Sequence, residues 1–251
     1  MLREPVRFVV VEGFECVPLR QTCRNERPEI RPGRSAVRPG ARHRWGRGAR
    51  VKLHWSPRSP FVRMVMVAAH ELNLANQLTL VRTVAAMSEV NPQLSADNPL
   101  NKLPTLVLED GTAMFDSRVI LRVLDTDGRL HPPGREEGLA AARWQAMGMG
   151  LLDLLVLLRN ERDRPENLRS HAHMTAWKQK IANSLDWLEA RASELAARPF
   201  DIGHIAVGCA LGYLDLRFGE MDWRAGRSTL AQWGAVFEAR PSALASQSHI
   251  D

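Results

Sequence analysis

Two serines stand three residues apart, Ser56 and Ser59, each followed by proline, at the point where a short apolar run gives way to a helical period. Ser59 before Pro60 pairs an N-cap residue with proline at the first helical position. A hydroxyl there meets the free N–H groups and the positive end of the helix dipole, so it can hold an anion. It could equally do no more than cap the helix. A second group, Lys102-Leu103-Pro104, sets a cation and an X–Pro bond at the start of a strand. A third, Asp116-Ser117, opens another helix, where a serine and its neighbouring N–H groups suit a carboxylate and the aspartate suits an ammonium. His171 and His173 are spaced i, i+2, which does not put them on one helix face, so the sequence offers no zinc site.

The elements that must position these residues follow from periodicity. Val51–Trp55 reads as a strand, and Phe61, Val65, Ala68, Ala69 and Leu72 mark one face of the helix after it. Residues 76–81 read as a second strand and residues 83–90 as a short helix or loop. Residues 103–108 and 112–115 form a hairpin around an Asp-Gly turn, and residues 116–127 a capped helix. After a Pro/Gly-rich linker at 131–138 the chain turns helical, with helices expected over 136–162, 172–196, 203–218 and 228–240. The third of these is apolar on nearly every side and is expected to be buried. Asp201, with His204 three residues on, is placed to cap it, and losing that cap should cost about 1 kcal/mol. Arg63 and Arg118 read as structural or solvated, with a minor role in steering an anion.

Charge divides the chain unevenly. Residues 1–50 hold 12 Arg and 5 Glu, whereas the rest holds 22 basic and 23 acidic residues, so the net charge of +6 belongs to the leading segment and argues against a nucleic-acid role for the body. The leader is rich in Arg, Pro and Gly and lacks periodicity, which predicts disorder apart from a possible short strand around Arg7–Val11. A mobile basic tail, a presequence and an upstream-assigned start are the readings for it, and the last, or a functionless extension, is favoured. The sequence shows no apolar run long enough to span a bilayer and no clean signal layout, so a cytoplasmic protein without membrane partners is expected. Three cysteines, Cys16, Cys23 and Cys209, argue against a disulfide framework.

The blocks SPRSPFVRMVMVAAHEL, NPLNKLPTLVLEDGTAMFDSRVI and FDIGHIAVGCALGYLDLRF resemble glutathione S-transferases, in particular small bacterial members of the serine type, over about residues 51–242. The resemblance implies an α+β chain: a thioredoxin-like βαβαββα domain at 51–130, followed by an all-α domain at 135–245. It implies glutathione as co-substrate, no cofactor or metal, a small hydrophobic electrophile, a homodimer and a detoxifying role. Glutathione attacks as its thiolate, so the site must lower the thiol pKa. The family's frequent tyrosine is disfavoured, because Tyr213 is the only one in the chain and Trp55 follows the strand core. Ser59 stands where other members carry a cysteine, and a serine suits conjugation rather than mixed-disulfide chemistry; Ser56 is the second candidate. The resemblance further implies a cis bond before Pro104, with the Leu103 backbone pairing with the cysteinyl residue of glutathione. Lys102 would reach the glycyl carboxylate, and Asp116 and Ser117 the γ-glutamyl end. Met147, Met149, Leu152 and Leu155 would line the electrophile site. A glutathione-dependent isomerase, dehalogenase or reductase, or a non-catalytic glutathione-binding or protein-interaction module, are the alternatives on the same scaffold.

Overall fold

The computed structural model describes residues 51–251. The disorder expected for residues 1–50, and the strand around Arg7–Val11, lie outside the described residues.

The first half is a four-stranded mixed sheet with helices on both faces. Its elements are β1 (Val51–Trp55), α1 (Pro60–Glu71), β2 (Leu78–Arg82), α2 (Pro92–Asp97), β3 (Thr105–Val107), β4 (Ala113–Met114) and α3 (Ser117–Leu124). The strand order is β2-β1-β3-β4. β1 runs parallel to β2, with Leu53 opposite Leu80, and antiparallel to β3, with Leu53 opposite Leu106. This is the thioredoxin-like arrangement expected. Of the short helix or loop expected over 83–90 the structure has the loop, and the short helix follows at Pro92–Asp97: Asn91 caps it by accepting from Leu94 N–H, and Pro92 supplies the first helical position.

Alternation along β1 assigns the two faces. Val51 and Leu53 point into a core shared with Val62, Val65, Ile120 and Leu124 of α1 and α3. Lys52 and His54 point the other way, where Asp97 of α2 accepts from Lys52 Nζ at 2.5 Å and pairs with His54 Nε2 at 2.7 Å. The bonds from Lys52 and His54 hold the Asp97 carboxyl below its usual range.

The second half is helical: α4 (Arg135–Arg162), α5 (His171–Glu189), α6 (Ala192–Ala197), α7 (Ile202–Arg217), α8 (Ser228–Glu238) and α9 (Pro241–Leu244). The helix expected over 172–196 is therefore two helices; the break at Ala190–Arg191 sets the Leu195 carbonyl against His204 Nε2 at 2.9 Å. By length and composition α4 is long and apolar enough to cross a membrane, a correction to the sequence scan. Half of its apolar window is buried inside the fold, where α4 packs on α5 and α7 as a core helix. Gly148 permits the close approach of α4 to α7, because a Cβ there would meet the backbone of Ala206 and Val207. Cys209, on α7, is fully buried, and desolvation pushes its thiol up to about 12, with Arg63 opposing the rise.

The N-terminus of α7 is where the linker and the helical core meet. Asp201 accepts from the N–H groups of Gly203 (2.8 Å) and His204 (3.3 Å) and from Arg198 Nη2 (2.8 Å), while His204 Nδ1 turns back toward Asp201 to complete a capping box. Next to it, Ile202 N–H donates to the Leu130 carbonyl. The linker itself is wound around Asp125, which accepts from the N–H groups of Arg129, Leu130 and His131 and pairs with the His131 ring.

Burial acts to raise the Asp201 carboxyl pKa, but the bonds from His204, Arg198 and Gly203 outweigh it, so the carboxyl titrates below its ordinary range. The stability it contributes is therefore present at neutral pH and is lost as pH falls through that lowered value. Asp201→Ala also strips buried His204 and Arg198 of a partner, so its cost rises above that of a simple cap, to about 2–3 kcal/mol. Urea unfolding at neutral pH measures this deficit, which should shrink in strong acid; a variant as stable as the parent would remove Asp201 as the anchor of α7.

Candidate active site

A cleft of about 550 Å³ opens where the start of α1 faces α4 and α7. Ser56, Ser59, Lys102 and Leu103 all line it. Ser59 has extended backbone angles, and its Oγ accepts from Val62 N–H at 3.3 Å. That bond uses a lone pair of the hydroxyl and leaves its proton free to donate. Pro60 has no N–H. Phe61 N–H has no partner among the described residues, so it and the Ser59 hydroxyl are the donors facing the cleft at the head of a twelve-residue helix. Ser56 lies deeper, 7 % exposed, and its Oγ accepts from Arg58 N–H at 3.4 Å.

The loop before β3 is held by two asparagines. Buried Asn98 donates from Nδ2 to the Lys102 carbonyl and to Thr105 Oγ1, and accepts from Leu100 N–H. Asn101 adopts φ +53°, a conformation asparagine tolerates, and its side chain bonds both backbone groups of Asn91. This places Leu103 on the cleft wall, with a cis bond to buried Pro104, as expected. Among the described residues, Leu103 N–H and C=O have no hydrogen-bond partner, so both can pair with an extended ligand. Asp116 and Ser117 lie at the head of α3, outside the cleft lining. Asp116 accepts from Arg118 N–H and from its guanidinium, and the buried Ser117 hydroxyl has no partner among the described residues.

Other expectations need correction. Met149, Leu152 and Leu155 are core residues, and Met147 packs against that core beside Trp187, away from the cleft. The face of α4 that lines the cleft is Asp153, Val156, Leu157 and Asn160, spaced as one helical stripe. Sequence reading missed it because apolar residues surround α4 on several sides. Tyr213, disfavoured by the sequence as the thiolate contact, lines the same cleft; burial raises its pKa, so it keeps its proton. Asp153 is open to the cleft, and desolvation by the walls raises its carboxyl pKa, against the attraction of Arg118 and Lys102.

Arg63, left open between structure and solvent, is structural. It is 5 % exposed and donates to both carboxylate oxygens of Glu238, at 2.9 and 2.6 Å, and to the Ala243 carbonyl. Gly212 leaves room for this pair; a Cβ there would strike the Arg63 guanidinium and Glu238 Oε1. At the other end of α1, Glu71 accepts from Arg240 and from Ser242 Oγ. The helix that carries Ser59 is thus tied at both ends to α8 and α9. Among the described residues, no group of three or more His, Cys, Asp or Glu side chains is placed to hold a metal ion.

Comparison with known proteins gives this geometry its context. Residues 58–127 match the family model for the glutathione S-transferase N-terminal domain, and residues 162–233 that for the C-terminal domain. The chain is 28% identical over 187 residues to the GST-like protein YibF of Escherichia coli K12, covering 72% of this chain and 91% of that protein. A glutathione transferase family member from Pseudomonas fluorescens Pf-5, solved with bound glutathione, is 36% identical, with a TM-score of 0.77, over 80% of this chain and 100% of that one. A second structure under the same description holds S-(propanoic acid)-glutathione and is 35% identical, with a TM-score of 0.72, over 78% of this chain and 98% of that one.

Glu238→Ala would leave the Arg63 guanidinium buried and unpaired, at a cost of about 2–3 kcal/mol. Adding Arg63→Met should recover part of that loss, so the double variant unfolds at higher urea than additivity allows. Strict additivity would deny the pair its coupling.

Proposed function

Because the chain belongs to the glutathione S-transferase family, we propose that it joins the sulfur of glutathione to a small hydrophobic electrophile, with Ser59 holding the thiolate. The observation that carries this reading is the Ser59 hydroxyl, which accepts from Val62 N–H and keeps its proton to donate, at the head of α1 beside the Phe61 N–H, which has no partner among the described residues. Those two donors and the helix dipole favour the charged sulfur over the thiol. The thiol proton leaves to solvent, the thiolate attacks carbon, and the new sulfur–carbon bond forms as a leaving group departs with its electron pair or as an activated double bond takes up a proton. An oxygen at position 59 forms no mixed disulfide with glutathione, which supports conjugation over disulfide exchange.

The remaining glutathione contacts distribute by charge. The two backbone groups of Leu103 take the cysteinyl backbone, and Lys102 takes the glycyl carboxylate. Ser117, whose buried hydroxyl lacks a partner among the described residues, and Asp116 take the γ-glutamyl carboxylate and ammonium. The Pseudomonas fluorescens neighbours, with bound glutathione and S-(propanoic acid)-glutathione, support a site for the tripeptide and for a group on its sulfur. Phe61, Val84, Met87, Val156 and Leu157 line the remainder of the cleft; of these, Val84, Met87 and Leu157 are exposed apolar side chains suited to a hydrophobic co-substrate. A cytoplasmic homodimer belongs to the same proposal.

Ser59→Ala should lower kcat/KM toward a chloronitrobenzene by on the order of 10²-fold. It should also raise the pKa of the bound thiol, read from the ultraviolet absorbance of the thiolate, so the rate maximum moves to higher pH. Ser56→Ala serves as comparison: if Ser56→Ala gives these shifts and Ser59→Ala does not, the roles of the two serines are exchanged.

A further inference from the structure

The wall of the cleft is strongly cationic. Arg58, Arg82, Lys102, Arg159 and Arg217 line it, against one carboxylate, Asp153. Three of these cations already hold a carboxylate: Arg159 pairs with Asp163, and Arg58 and Arg82 share another. Beyond α9 the chain runs without regular structure over 247–251 and returns to the cleft mouth, where the Asp251 carboxylate lies between Arg58 and Arg82. Arg58 Nε donates to Asp251 Oδ1 at 2.6 Å, and Arg58 Nη2 donates to its main-chain oxygen at 2.5 Å. Arg82 Nε donates to Oδ2 at 2.8 Å and Arg82 Nη2 to Oδ1 at 2.9 Å, a two-pronged grip on a carboxylate plane.

We infer that Arg58 and Arg82 form a subsite for the acid group of the electrophilic co-substrate, and that Asp251 occupies this subsite as an internal stand-in when no such acid is bound. The inference rests on the conjugation reading above, and it narrows the electrophile from hydrophobic to hydrophobic and acidic.

Position argues for the co-substrate rather than glutathione. Arg58 directly precedes Ser59 at the point of sulfur attachment, and Arg82 ends β2, followed by Val84 and Met87 on the apolar part of the wall. An acid bound there has its apolar body against that wall and its reactive carbon toward Ser59. Lys102 and Arg217 on the same wall, against Asp153, keep the cleft positive and attract further anions from solution. Asp251 is tethered by a short irregular segment and remains about one-third exposed at its side chain, so an incoming acid exchanges one surface carboxylate for another and leaves no arginine unpaired. The same exchange sets a threshold, because a neutral electrophile gains nothing from displacing Asp251.

Two measurements on the full chain test this. The first is calorimetric binding of nitrobenzoate, which lacks a leaving group, against nitrobenzamide, with glutathione titrated separately. Nitrobenzoate should bind more tightly than the amide. Arg82→Gln, or Arg58→Gln with Arg82→Gln, should weaken nitrobenzoate by about tenfold or more, and Asp251→Asn should tighten it several-fold. The second measurement is the ratio of kcat/KM for chloronitrobenzoate over chloronitrobenzamide, in which thiolate replaces chloride; the arginine variants should abolish the preference for the acid. Equal binding of acid and amide, or acid binding indifferent to both arginines, overturns the subsite. If Arg82→Gln weakens glutathione as much as nitrobenzoate, the arginines serve the tripeptide and the inference is likewise overturned. If acid binding responds as expected but neither chloro compound is turned over, the subsite stands and the conjugation reading falls.

Discussion

The placement of the candidate active site depends on the ion pair between Arg63 and Glu238. Burying a guanidinium is costly, and the cost is offset where its terminal nitrogens meet acceptors in good geometry, as both do in Arg63, although Arg63 Nε has no partner among the described residues. Here the acceptors come from α8 and from the Ala243 carbonyl, more than 170 residues along the chain. Ser59 lies one helical turn from Arg63, so the bond that neutralises the arginine also sets the position of the hydroxyl. Glu71, with Arg240 and Ser242, repeats the attachment at the far end of the helix. α1 is buried along almost its whole length because it has two jobs: Val62, Val65 and Met66 face the sheet, and Met64, Val67 and Ala68 face the helical core. No isolated domain would provide both surfaces, and the cleft exists because one helix belongs to two cores.

The helical half supplies a rigid partner for that helix. α7 is apolar on every side and gains its fixed start from Asp201, whose carboxylate ties together Arg198, His204 and the first turn. The linker is secured to the same point through Leu130 and Ile202, and Asp125 winds it into a compact turn. Cap, linker and core therefore act as one joint, and α4 lies across it with Gly148 against the α7 backbone. On the opposite side α4 presents Asp153, Val156 and Leu157 to the cleft, so one helix serves both the helical core and the cleft wall.

Much of this was legible in the sequence where the signal is local. The Ser59-Pro60 cap, the Asp-Gly hairpin, the Asp201 cap and the buried character of α7 rest on contacts within a few residues, and the structure has each of them. The cleft was legible in half. Ser56, Ser59, Lys102 and Leu103 come from turns with distinctive composition. The stripe on α4 was misjudged because a helix buried on several sides has no single apolar face for a period to reveal. Tyr213, Arg58, Arg82 and the carboxylate of Asp251 come together only through tertiary folding, and an arginine in sequence does not announce which acid it will meet. The position of α2 was missed for a simpler reason: Asn91-Pro92 is a start signal, but the helix it opens is only six residues long.

The buried state of Cys209 has a consequence for the durability of such a catalyst. Under the proposed conjugation, a protein that gathers electrophiles beside a thiolate would expose its own nucleophiles to the same reagents. Among the described residues the only cysteine is sealed inside α7, protonated and out of reach, and no thiol faces the cleft. Met87 carries the one protein sulfur in that cleft among the described residues, as a neutral thioether, so under the proposed chemistry a bound glutathione thiolate would be the stronger soft nucleophile and would take the reagent away with the product.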